Sequence, residues 1–243
     1  MVWLEARQQR PGGSGSVCGR FTVRTSPQEV ARIFRVERPL PNCPPRFNLA
    51  PTQDVLAVRF NPKDGRRHLD LLRWGLVPHW SKDAKGAGKL INARSEGLTQ
   101  RPTFRDAFAK RRCLIPADGF YEWQVREGGA KQPFAIVPSD APMFAFAGLW
   151  EGWKDPGTGE YLRTCTIVTG AANETMAAIH ERMPVILPEA NWPAWLGETT
   201  AEPGELLALL KPFPAGRMRA YPVSTRVNSV RNDDESLLEA VAH

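Results

Sequence analysis

No two cysteines of this 243-residue chain lie close together: Cys18, Cys43, Cys113 and Cys165 are widely spaced and form no CxxC pair. That excludes the common zinc frameworks and fits a reducing, cytoplasmic setting. The four histidines, His68, His79, His180 and His243, fall at no ligand spacing. No metal, nucleotide or other cofactor is therefore expected. No stretch reaches the roughly 18 consecutive apolar residues of a transmembrane helix, and no apolar core of signal-peptide length follows the early basic residues. Internal repeats are absent, and no linker interrupts residues 18–243.

What the chain does have is 22 prolines, 20 glycines and many short apolar runs. That mixture favours strands and loops over a helical bundle. A hydrophobic fraction of 42% is enough for a substantial core. The net charge of +6 suits a nucleic-acid partner, although many basic proteins bind none.

Residues 1–16, MVWLEARQQRPGGSGS, end in a flexible-linker composition. Residues 1–17 are predicted to be a disordered leader that is removed or never translated. Val17 reads as a valine-coded start that would give Met-Cys-Gly-Arg-Phe. Loss of the initiator methionine before a small residue leaves Cys18 at the terminus. The folded unit is predicted over 18–243.

Ser26, Pro27 and Glu29 open a helix as N-cap, first turn and capping box, with Val30, Ile33 and Phe34 on its apolar face. Arg46–Thr52 reads as a loop. Strands are predicted at Asp54–Phe60, His68–Trp74, Arg112–Pro116, Phe120–Trp123, Pro133–Val137, Met143–Trp150, Tyr161–Thr169 and Met218–Val223. Short helices are predicted at Thr103–Arg111, Asn173–Ile179, Glu189–Leu196 and Glu202–Leu210, with a further one in the tail before Leu238. The fold class is α+β, a single domain with a mostly antiparallel, barrel-like β core flanked by short helices.

Several side chains allow two readings. Trp74 is expected in the core, whereas Trp80 precedes a polar, glycine-rich segment and is expected exposed, as a stacking platform. Cys113 and Cys165 sit in apolar runs and read as small core residues. Strand alternation places Glu122 on the wet face, opposite Tyr121 and Trp123. If it faces inward instead, desolvation raises its pKa and makes it a general acid. His180 follows a helix and precedes a strand, which suits either a cleft or a helix C-terminus.

Six motifs then occur in order: Cys18-Gly19-Arg20-Phe21, Phe47-Asn48-Leu49-Ala50-Pro51-Thr52, Trp74-Gly75-Leu76-Val77-Pro78, Asn92-Ala93-Arg94-Ser95-Glu96, Ala117-Asp118-Gly119-Phe120-Tyr121-Glu122-Trp123 and His180-Glu181-Arg182-Met183-Pro184. Together with the tail motif Val227–Asn232 they strongly resemble the SRAP family, the SOS response-associated peptidases or abasic-site processing proteins. The resemblance implies a protein that binds abasic sites in single-stranded DNA and traps them covalently. It implies Cys18, Asn92, Glu122 and His180 as catalytic residues, Arg20 and Arg94 as phosphate contacts, and Pro51 and Trp80 at the DNA junction with Asn48 beside them. The family begins Met-Cys, so the 17-residue leader is a departure from its pattern. The expected partner is single-stranded DNA containing abasic sites, bound by a monomer associated with the nucleoid, without a membrane. Two other functions fit parts of the sequence: a cysteine peptidase or autoprotease using Cys18 or Cys113 with His180, and a non-covalent single-stranded DNA-binding module.

Overall fold

The computed structural model describes residues 18–37 and 40–241; the predicted leader, residues 1–17, lies outside them. The strands are β1 (Arg20–Val23), β2 (Arg46–Leu49), β3 (Asp54–Asn61), β4 (Arg66–Trp74), β5 (Asn92–Arg94), β6 (Arg112–Ala117), β7 (Gly119–Val125), β8 (Lys131–Pro138), β9 (Phe144–Lys154), β10 (Tyr161–Ala171), β11 (Arg182–Pro184) and β12 (Met218–Pro222). The helices are α1 (Pro27–Phe34), α2 (Pro102–Lys110), α3 (Glu174–Ala177), α4 (Trp192–Leu196) and α5 (Pro203–Ala208).

The strands form two sheets. One runs β12-β8-β7-β1-β2, antiparallel throughout. The other runs β10-β4-β3-β6-β9 and closes on itself where β9 pairs β10, giving a five-stranded barrel. Closure removes the open sheet edges that would otherwise invite aggregation. The β10 strand also holds β11 and β5, the latter in parallel register. The α+β class with a barrel core is thus as the sequence predicts. Phe21, Trp74, Phe120, Phe144 and Phe146 join the two sheets through one apolar core. Among the described residues, no helix is long and apolar enough to cross a membrane.

Four local expectations need correction. Arg46–Leu49 is a strand, not a loop, because Phe21 pairs Leu49 and the distant Asp233 carboxylate accepts the Phe47 and Asn48 N–H groups. The helix predicted over Asn173–Ile179 shrinks to the single turn of α3, and the tail helix becomes two 3-10 turns at Thr225–Asn228 and Glu235–Leu238. At α1, Ser26 caps the Glu29 N–H as predicted, but the Glu29 carboxylate pairs with Arg32 instead of completing the box.

The tail determines what happens on the far face of the five-stranded sheet. Tyr121 and Ala135 pack there against Val223, Val227 and Leu237 in a second, smaller core. The Tyr121 hydroxyl donates to the Phe47 carbonyl at 2.9 Å. Around Tyr121, strand β7 is therefore covered on both faces.

Candidate functional site

Double coverage of β7 overturns the wet-face reading of Glu122. Alternation separates wet from dry residues only where one sheet face is solvated. Here the Tyr121 face is sealed by the tail, and Glu122 on the opposite face is only 3% exposed. Burial raises its pKa. The N–H groups of Cys18 and Trp123 and the charges of His180 and Lys131 pull it back part of the way.

Cys18 reaches Glu122 because β1 lies beside β7, with Arg20 opposite Tyr121. Two residues further out, the Cys18 backbone N–H donates to Glu122 Oε2 at 2.9 Å, and Oε1 accepts from Trp123 N–H at 3.1 Å. Cys18 is fully buried and has φ 47°, left-handed backbone that a non-glycine residue rarely adopts. Burial first, and the Glu122 carboxylate second, push its thiol well above the ordinary range.

His180 ends the turn of α3, its N–H bonded to Met176 O at 2.8 Å. Its Nδ1 accepts the Arg182 N–H at 3.1 Å, so a neutral ring carries its proton on Nε2. A positive charge on His180 lowers the pKa of Glu122. Asn92 and Arg94 lie at either end of β5, opposite Ile167 and Thr169 of β10. Arg94 is exposed.

Arg20 donates through Nη1 to Asn48 Oδ1 at 3.0 Å and Val227 O at 2.7 Å, and through Nη2 to Asn228 O at 3.2 Å. Pro51 lines the same open groove as Arg20, a cavity of about 480 Å³ that starts at Gly19 beside Cys18. Trp80 is 59% exposed, on a loop pinned by Trp153 Nε1–H to Ser81 O at 2.7 Å. It does not line the groove. Trp74 is fully buried, its indole N–H bonded to Ile91 O at 2.9 Å.

Asn48 departs from its expected place at a DNA contact. It has no exposed surface, and its Nδ2 meets the carbonyls of Val227, Ser229 and Asn232 at 3.2, 3.0 and 2.8 Å. Its side chain holds the tail. The groove also contains residues to which sequence reasoning gave no site role: Ile91, Trp123, Lys131 and Asn228. Asn228 stood within the tail motif, whereas nothing in the local sequence marks Lys131. Among the described residues, no cluster of three His, Cys, Asp or Glu side chains could hold a metal ion.

With this geometry in view, comparison with known proteins is direct. Residues 17–230 match the family described as SOS response associated peptidase (SRAP). The chain belongs to the SRAP family. It is 42% identical over 226 residues to the abasic site processing protein YoqW of Bacillus subtilis, a match covering 92% of this chain and 100% of that one. The abasic site processing protein YedK of Escherichia coli is 31% identical, covering 93% and 100%. The vertebrate HMCES of Gallus gallus is 37% identical over 74% of this chain and 60% of its own. Among solved structures, a protein from Bacteroides thetaiotaomicron superposes with a TM-score of 0.83 at 25% identity, covering 93% of this chain and 100% of that one. All six sequence motifs that define the SRAP resemblance fall within residues 17–230.

Proposed function

We propose that this SRAP protein processes abasic sites in DNA, binding them in single strands and joining them covalently through Cys18. The observation that carries this reading is the contact between the Cys18 nitrogen and a buried carboxyl whose pKa is raised. An abasic deoxyribose opens to an aldehyde at C1′. Protonated Glu122 donates to the ring oxygen as the C1′–O bond breaks, and a base takes the proton of the anomeric hydroxyl. The neutral α-amine of Cys18 attacks C1′ and water leaves, giving an imine. The thiol then adds across the C=N bond, sulfur to carbon and hydrogen to nitrogen, closing a five-membered thiazolidine.

This chemistry needs a free α-amine, whose ordinary pKa of about 7.7–8.0 leaves a useful neutral fraction near pH 7. In the chain as written the Cys18 nitrogen is an amide, so the reading requires cleavage or alternative initiation at Val17–Cys18. Autoproteolysis at that bond would account for the word peptidase in the family description. Asn92 orients the terminus or sugar, and His180 offers Nε2–H to the opened sugar hydroxyl. Arg20 and Arg94 hold phosphates, and Trp80 stacks on a base beside the lesion. An imine also permits β-elimination of the 3′ phosphate, so weak lyase activity accompanies the crosslink. The setting is the nucleoid, in the cytoplasm.

A cysteine-peptidase reading is less well supported. A peptidase nucleophile needs its thiol pKa lowered, and burial raises that of Cys18 and pushes that of Cys113 up to about 12. The test is intact mass after incubation with an abasic single-stranded oligonucleotide. Protein beginning at Cys18 should gain one oligonucleotide less one water. Its Cys18→Ala variant should bind the DNA but gain no stable mass. A Cys18→Ala variant that crosslinks with wild-type yield would sink the assignment.

A further inference from the structure

The groove beside Cys18 contains one cation, Lys131, to which the proposed chemistry assigns no ligand. Its lining includes two cations, Arg20 and Lys131, and no carboxylate. Every hydrogen-bond acceptor on Arg20 is a neutral carbonyl or amide oxygen, so its bonds orient the guanidinium without cancelling its charge. Lys131 is exposed; its charge acts on the buried Glu122, but among the described residues it makes no ion pair.

Sheet register puts these cations on one face. Arg20 stands opposite Tyr121, and Lys131 opposite Val125. Directly opposed residues share a face, and alternate residues of one strand do too. Arg20, Tyr121, Trp123, Val125 and Lys131 therefore point to the same side. On β7, Trp123 lies between these two registers, its indole N–H held by Asn228 Oδ1 at 2.8 Å. Four residues along β7 separate the two registers, about 13 Å at the usual rise of a strand. Each cation therefore enters the groove from its own register.

We infer that Lys131 binds a second phosphodiester of the same DNA strand, one removed from the phosphate at Arg20, so that the groove carries the strand away from Cys18. The inference rests on the single-stranded DNA reading above. Arg20 fixes the backbone next to the lesion, and Lys131 sets the path of the flanking nucleotides. The ligand is recognised by backbone charge, so the contribution of Lys131 is independent of sequence and sensitive to salt.

The experiment measures affinity of the full chain for a short single strand carrying one tetrahydrofuran abasic analogue, which has no aldehyde and cannot crosslink. Fluorescence anisotropy is followed from about 50 to 200 mM salt. The Lys131→Ala variant should bind several-fold more weakly at the low-salt end, with a log–log salt slope shallower by about 0.7, the value for one phosphate contact on a single strand. Lys131→Arg should keep the wild-type slope. Lys63→Ala should keep it too, since Lys63 lines a different surface groove. A wild-type slope in Lys131→Ala would overturn the assignment, as would a Lys131→Arg variant as impaired as Lys131→Ala. Failure of the wild-type chain to bind the strand at all would instead overturn the DNA reading itself.

Discussion

Arg20 and Asn48 grip the same backbone oxygen. Arg20 Nη1 reaches Val227 O at 2.7 Å and Asn48 Nδ2 reaches it at 3.2 Å, while the two side chains bond each other at 3.0 Å. One amide thus fastens the tail to the sheet and orients the groove's arginine. With no exposed surface, Asn48 acts through stability. Asn48→Ala strands buried carbonyls and should cost roughly 2–4 kcal/mol. Asn48→Asp should be worse, because it turns an acceptor toward three carbonyls. Urea unfolding measures both. A normally stable Asn48→Ala protein that has lost DNA binding would show that Asn48 is a ligand contact after all.

Glu122 should make stability depend on pH. Its folded pKa is raised by burial above the ordinary carboxyl value of 4.5. The stability linked to its protonation is fully present below that ordinary value and is lost as pH rises through the raised folded value. Glu122→Gln removes this titration. Measured from about pH 4 to pH 7, the wild type should lose stability relative to Glu122→Gln as pH rises. Parallel pH profiles for the two proteins would mean that the carboxyl is not held in its neutral form. In crosslinking assays on protein beginning at Cys18, the same variant should slow ring formation or reversal.

The strands that build the barrel were legible because their apolar runs are local, and Ser26-Pro27 marked the start of α1 correctly. The site was legible as motifs in order. The reason for its chemistry was not, since no local pattern says that β7 is buried twice. That depends on Val227 and Leu237, which lie more than 100 residues beyond Glu122 and cover the Tyr121 face. The burial of Asn48 was hidden for the same reason: its partners are carbonyls about 180 residues away. Lys131 gives no local signal, because its place in the groove follows from the register between β7 and β8.

Two tryptophans of one segment should respond in opposite ways. Trp74→Ala opens a cavity in the core and frees the Ile91 carbonyl, at a cost of about 3–5 kcal/mol. Trp80 is 59% exposed, so Trp80→Ala should change stability by no more than about 0.5 kcal/mol. Its affinity for abasic single strands should nevertheless fall by about 1–3 kcal/mol, the range for a lost base–aromatic stack. Wild-type affinity in Trp80→Ala would remove the stacking role.

The thiols provide a test that needs no DNA. Cys18, Cys113 and Cys165 are fully buried, and burial raises the pKa of each. Cys43 is partly exposed, and the nearby Arg46 charge partly offsets the upward effect of burial on its thiol. Alkylation requires the thiolate and access to it. In the native full-length chain, iodoacetamide near pH 8 should therefore label Cys43 first, and the other three only on unfolding. Peptide mass mapping over a time course reads the order directly. Rapid labelling of Cys18 in the folded full-length chain would mean that its thiol is accessible and ionised, and would reopen the peptidase reading. Slow labelling agrees with the thiazolidine route, in which the α-amine attacks first and the neutral thiol adds afterwards across an imine already formed.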